Sequence, residues 1–92
     1  MSRVILLDAG TLGLVTQRRG IPIADACRHW VAECMRKGSP VLVPEIADYE
    51  VRRELLRAGK MEGVSRLDAF NAAEPQRYRP LSTAVMRKAA EL

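Results

Sequence analysis

Two acids in this sequence have neighbours that suit them to chemistry. Asp8 closes the apolar run "RVILL" and precedes a small, flexible stretch, "DAGTLG". Glu50 lies in "PEIADYEVRREL", which continues a second apolar run, "PVLVP". An acid at the carboxyl end of a buried parallel strand sits where α/β folds place their ligands. Its companion belongs at the end of the next strand or on the helix that follows. That helix offers Glu45, Asp48, Glu50 and Glu54.

The apolar stripe of the helix separates these acids. Ala47, Val51, Leu55 and Ala58 mark its inward face. Asp48 points away from the stripe and is expected in solvent, with Arg52 in reach one turn on. Glu45 sits at the helix start, where interaction with the helix dipole is role enough. Glu50 borders the stripe and is expected to be half-buried, and Glu54 follows one turn farther from the strand. Glu50 is therefore the better companion for Asp8. Arg53 and Arg57 fall beside it on the same wheel. They either pair with local acids, worth roughly a few tenths of a kcal/mol, or grip phosphate, which guanidinium geometry suits.

Two carboxylates with basic neighbours suggest a hard divalent cation acting on phosphate. Mg²⁺ takes oxygen ligands and binds through one or two carboxylates plus water. It activates water and offsets charge on the phosphate. Other chemistries find little in the chain. There is no G-x-G-x-x-G, no G-x-x-x-x-G-K-[ST] and no G-x-S-x-G. The single histidine, His29, falls on the polar face of its helix. A dehalogenase-type phosphotransferase wants a second Asp two residues after Asp8, and that position is Gly10. Cys27 and Cys34 are seven apart on one helix face and read as reduced core thiols.

Positioning these acids requires strands and helices in alternation. "RVILL" and "PVLVP" read as short buried strands. A short helix is expected at 11–17. A longer one runs through "IPIADACRHWVAECMRKG", from Pro22 at a first helical position to Gly38 just past the end. Its apolar stripe is Ile23, Cys27, Trp30, Val31 and Cys34. A further helix spans "EIADYEVRRELLRAG", and a weaker one, containing Gly63, spans "MEGVSRLDAFNAA". "EPQRYRP" reads as a loop, and "LSTAVMRKAAEL" as a helix with Ser82 as its N-cap. The order β-α-α-β-α-α-α predicts one α/β domain over residues 1–92 with a parallel sheet flanked by helices. Two strands make a poor sheet, so the sheet is expected to be incomplete.

The 92 residues suffice for one small domain. At 48% hydrophobic residues the composition is globular. No apolar run approaches the ~20 residues of a membrane helix. The start, "MSRVILLDAG", is too short and too acidic for a signal peptide, which makes the cytoplasm the expected compartment. The net charge of +4 permits a nucleic-acid partner without requiring one.

With these residues in place, the chain resembles the PIN domain, a ribonuclease-like fold found in many toxins of toxin–antitoxin pairs. "VILLDAGTLG" looks like the family's opening strand with its first acid at Asp8. "VLVPEIADYEVRREL" resembles its second strand and following helix, with the acid at Glu50. "YRPLSTAVMRKAAEL" resembles the later extended piece and Ala-rich helix. The resemblance implies a parallel sheet, a Mg²⁺ or Mn²⁺ site built from three or four acids, and endonucleolytic cleavage of single-stranded RNA. Asp8 and Glu50 would be the metal ligands. Arg53 and Arg57 as substrate contacts come from the helical wheel and not from a family motif.

Two departures qualify the resemblance. The family often carries a hydroxyl or amide one or two places after the first acid. Here Ala9 and Gly10 stand there, and the hydroxyl comes at Thr11, which is the candidate for that role. The family's remaining acids follow the Ala-rich helix, and the sequence stops at Leu92. The chain is thus expected to cover about the first two-thirds of such a domain, to bind metal weakly, and to cover an exposed sheet edge by self-association. Asp68 is read as a solvated helix acid. The competing expectation is a non-catalytic module that holds RNA or a protein such as an antitoxin.

Overall fold

The computed structural model describes residues 3–80. The order of elements is β1 (Ile5–Leu6), α1 (Ala9–Val15), α2 (Pro22–Arg36), β2 (Val41–Pro44), α3 (Glu45–Arg57), α4 (Met61–Ala72) and β3 (Tyr78–Arg79). The fold is mixed α/β, with four helices and a three-stranded sheet among the described residues. All pairings are parallel and the strand order is β1-β2-β3. Ile5 pairs with Val41 and Leu6 with Leu42; Val43 pairs with Tyr78 and Pro44 with Arg79.

The helix ends follow local chemistry. Asp8 is extended and caps α1, accepting the Thr11 N–H, so the helix starts at Ala9 and not at residue 11. Pro22 opens α2, where its missing N–H costs nothing. Gly38 and Gly59 follow α2 and α3 with φ of 86° and 69°, a backbone region that side chains with a Cβ avoid.

The two crossovers, β1-α1-α2-β2 and β2-α3-α4-β3, step in the same direction across the sheet. Right-handed crossovers of this kind place both helix pairs on one face. The core agrees: Ile5 and Leu7 from the first strand region and Val41 and Val43 from β2 meet Leu12 and Val15 of α1, Val31 of α2, Ala47 of α3 and Leu67 of α4. Side chains alternate along a strand, so Val4 and Leu6 face the other way, and both are exposed.

The structure corrects several expectations. "EPQRYRP" is not only a loop, because it contains β3. Two residues with Pro80 straight after them carry almost no strand signal. What sets the strand is Arg77, which is 4% exposed. Its carbonyl accepts the Val43 N–H at 2.7 Å. Its guanidinium donates to the Phe70 and Val41 carbonyls at 2.8 and 3.3 Å and stacks on the Phe70 ring. The α2 stripe is also rotated from expectation. Ile23 and Trp30 are exposed, and Ala24, Cys27, Val31, Cys34 and Met35 face the core. Arg28 lies in that stripe. It turns inward because its guanidinium reaches the Val15, Gln17 and Arg18 carbonyls while pairing with Asp25. Third, Asp48 is not solvated, as shown below. The helix expected over 82–92 lies outside the described residues.

Candidate functional site

Parallel strands bring the ends of β1 and β2 to one edge of the sheet. Asp8 leaves β1 there, and α3 starts there directly after Pro44. Leu6, Leu7, Asp8, Ala9, Pro44, Ile46, Ala47 and Glu50 line one open cavity of about 330 Å³ at this edge. The two acids singled out in the sequence therefore share a cavity. The reach from Pro44 to Glu50 is under two helical turns, roughly 9 Å along the axis.

Asp8 is held in place by its capping role. One carboxylate oxygen accepts the Thr11 N–H at 2.7 Å. That bond, with a second from the Thr11 hydroxyl, holds the Asp8 carboxyl below the usual carboxylate range. Asp8 is thus anionic at neutral pH and exposed. Thr11 acts through Asp8 and does not line the cavity. Glu50 is exposed, not half-buried as the wheel suggested, and has no hydrogen bond or ion pair among the described residues. The stripe on α3 is narrower than drawn, since Ala58 is exposed as well.

Arg53 is exposed and without an ion pair among the described residues, but it does not line the Asp8–Glu50 cavity. Arg57 pairs with Glu54 at 3.2 Å, the local pairing that was the plainer of its two readings.

Oxygen ligands that are anionic and open to solvent suit a hard divalent ion. Mg²⁺ needs one or two carboxylates and completes its shell with water, so Asp8 and Glu50 fit that donor set. Among the described residues no group of three or more His, Cys, Asp or Glu could hold a metal. Asp8 and Glu50 are the two acids that line this cavity.

Asp48 belongs to a different cluster. It is 6% exposed, because α4 packs over it. Arg52 Nε and Nη2 donate to its two oxygens at 3.1 and 3.0 Å, and Asn71 Nδ2 donates at 2.8 Å. Arg52 also reaches Asp68 at 2.8 Å. The Arg52 guanidinium is held charged by these carboxylates, Asp48 first. The Asp48–Arg52 pairing follows from their spacing. The α4 partners, Asp68 and Asn71, lie 16 residues beyond Arg52 and 23 beyond Asp48 and leave no local trace.

A second feature escapes the sequence. Ala9, Gly10 and Gly13 keep the α1 surface low where α3 crosses it, leaving a trough of about 580 Å³ walled by Glu50, Val51, Glu54, Leu55, Lys60 and Arg66. Small residues at a four-residue spacing on one helix are the signal that marks it.

No family model matches this chain, no curated protein matches it, and no solved structure matches it. No helix among the described residues is long and apolar enough to cross a membrane.

Proposed function

We propose that this chain is a PIN-like, metal-dependent endoribonuclease domain, with Asp8 and Glu50 as ligands of a Mg²⁺ or Mn²⁺ ion and single-stranded RNA as substrate. One observation carries the reading. Two acids 42 positions apart in the sequence line one cavity at the carboxyl edge of a parallel sheet, the place where open α/β folds bind their ligands. The parallel sheet, the net charge of +4 and the short motifs around both acids support it.

In this reading Asp8 is the fixed ligand, because its capping bond to Thr11 sets its orientation. Glu50, exposed on α3 and without a hydrogen bond among the described residues, would be the second ligand. When bound, the ion supplies charge stabilisation at the phosphate and an acidified water. The chain's own contribution is to fix the Asp8 carboxylate in its ionised form and to aim both acids into one open cavity.

A second reading has its own observation. The described residues supply two acids for a metal site and no third, which favours a degenerate domain that binds RNA or a protein such as an antitoxin without cleaving it.

Cleavage separates the two. Incubating the full chain with end-labelled single-stranded RNA and Mn²⁺ is expected to give internal cuts that stop with EDTA and are lost in Asp8→Asn and Glu50→Gln. RNA that is bound but left intact at every Mn²⁺ concentration would reject the nuclease in favour of the binding module.

A further inference from the structure

The α1–α3 trough does not end at Glu50. At one end it adjoins the acid cavity, with Ala9 and Glu50 common to both. At the other end it adjoins an open cleft of about 680 Å³, with Gln17, Lys60 and Arg66 common to both and Arg18 beyond them. The polarity changes along this course. Asp8, Glu50 and Glu54 mark one end and Arg18, Lys60 and Arg66 the other, with Glu62 the one acid on the basic cleft.

The cations at the far end are available. Arg18 and Lys60 are exposed and form no ion pair among the described residues. Lys60 stands at the N-cap position of α4, where its ammonium, a donor only, takes no part in the cap. Arg66 spends one N–H on the Thr16 carbonyl, at 2.8 Å, which ties α4 to the end of α1 and orients the guanidinium. From Glu50 to the end of α3 at Arg57 is about 10 Å at the helical rise, and Lys60 follows the turn at Gly59.

We infer that this trough is the track of the substrate strand, with Arg18, Lys60 and Arg66 holding backbone phosphates on the side of α1 and α3 away from the acids. The inference rests on the nuclease reading for its choice of ligand and deepens it. Charge complementarity favours a nucleic acid. The basic end demands anions, and the acid end accepts a phosphate when a divalent ion lies between. A polyanion meets both requirements. A strand supplies successive phosphates, one for each end of a trough that Glu50 and Lys60 both line.

The test is binding without catalysis. Fluorescence anisotropy of the full chain with a labelled 12-nucleotide single-stranded RNA in EDTA removes the metal and leaves the basic end. The Arg18→Glu, Lys60→Glu double variant is expected to bind at least about tenfold more weakly. Its salt slope should fall by about 1.4, at 0.7 per lost phosphate contact on single strands. Both side chains are exposed, so the variant's melting curve should match the wild type and show that it folds. Mononucleotides are expected not to compete.

Wild-type and variant affinities within twofold of each other, with equal salt slopes, would overturn the track. So would an absence of RNA binding in EDTA with binding restored by Mn²⁺ and lost in Asp8→Asn, which would place the whole interaction at the acids and uphold the metal reading. The reverse result, loss of RNA in the double variant with no effect of Mn²⁺ on wild-type melting, would uphold the track and reject the metal reading.

Discussion

Removing the Asp48 carboxylate should loosen α3 from α4 while leaving the metal site intact. Asp48→Ala deletes three hydrogen bonds, two from Arg52 and one from Asn71. Buried hydrogen bonds to charged groups are worth about 1.5–3 kcal/mol each, but the loss is less than their sum. The Arg52 side chain is 33% exposed and keeps Asp68, so water and that second carboxylate take over part of its solvation. A net destabilisation of about 2 kcal/mol follows, with Asn71 left facing an empty buried site. For a domain of this size 1 kcal/mol moves the midpoint by about 4–8 °C, so Tm should fall by about 8–16 °C. Asp48→Asn keeps an acceptor for Asn71 and should fall by about half as much. Thermal unfolding followed by circular dichroism at neutral pH measures both. A midpoint for Asp48→Ala within about 2 °C of wild type would refute the argument that this network joins the two helices. Loss of the Mn²⁺ response in a still-folded Asp48→Ala would place Asp48 in the metal site and refute the choice of Glu50.

Other consequences are as direct. Leu12 is fully buried, so Leu12→Ala should cost about 3 kcal/mol in urea unfolding, and an unchanged midpoint would show that the core is not where it is placed. Arg77→Met removes the donors to Val41 and Phe70 and should lower stability by about 2 kcal/mol, with hydrogen exchange at the Val43 amide rising as β3 loosens. Asp8 and Asp25 both titrate below their ordinary value of 3.8, Asp8 through Thr11 and Asp25 through Arg28. Their folded pKa values are depressed, so their contribution is complete above the unfolded value and is lost as pH falls through the folded one. Asp25→Asn should therefore flatten the fall in stability below about pH 4, and an unaltered acid limb would count against the Arg28 pairing. Val4 and Leu6 are exposed on the outer sheet face. Self-association through that face predicts that sedimentation of wild type depends on concentration and that Leu6→Glu sediments as a monomer.

Much of the architecture was legible because its signals are local. Apolar runs ending at Asp8 and Pro44, Pro22 at a helix start, and Gly38 and Gly59 past helix ends each act within a turn of chain. The features that were not legible depend on partners far along the chain. Arg28 and Asp48 are charged, and a helical wheel assigns charge to solvent; both turn inward because distant carbonyls or α4 side chains satisfy them. β3 is invisible locally because a buried arginine, not a β-branched run, holds it to β2. For the candidate site, the types of Asp8 and Glu50 and the ends of their strands pointed to one edge of the sheet, and both acids do line one cavity there. The exposure of Glu50 and the course of the trough toward Lys60 and Arg66 depend on how α1 crosses α3, which no local pattern of residues shows.

Asp8 and Glu50 are proposed to bind a divalent ion together. Melting the full chain across a Mn²⁺ titration tests this most directly. At ten times Kd, binding to the folded state alone stabilises by about 1.4 kcal/mol, which raises Tm by about 6–11 °C in a domain of this size. Asp8→Asn keeps a helix cap and Glu50→Gln alters an exposed side chain, so both should fold and lose the rise. A wild-type melting curve that does not move up to millimolar Mn²⁺, or one that moves equally in both variants, would contradict the account.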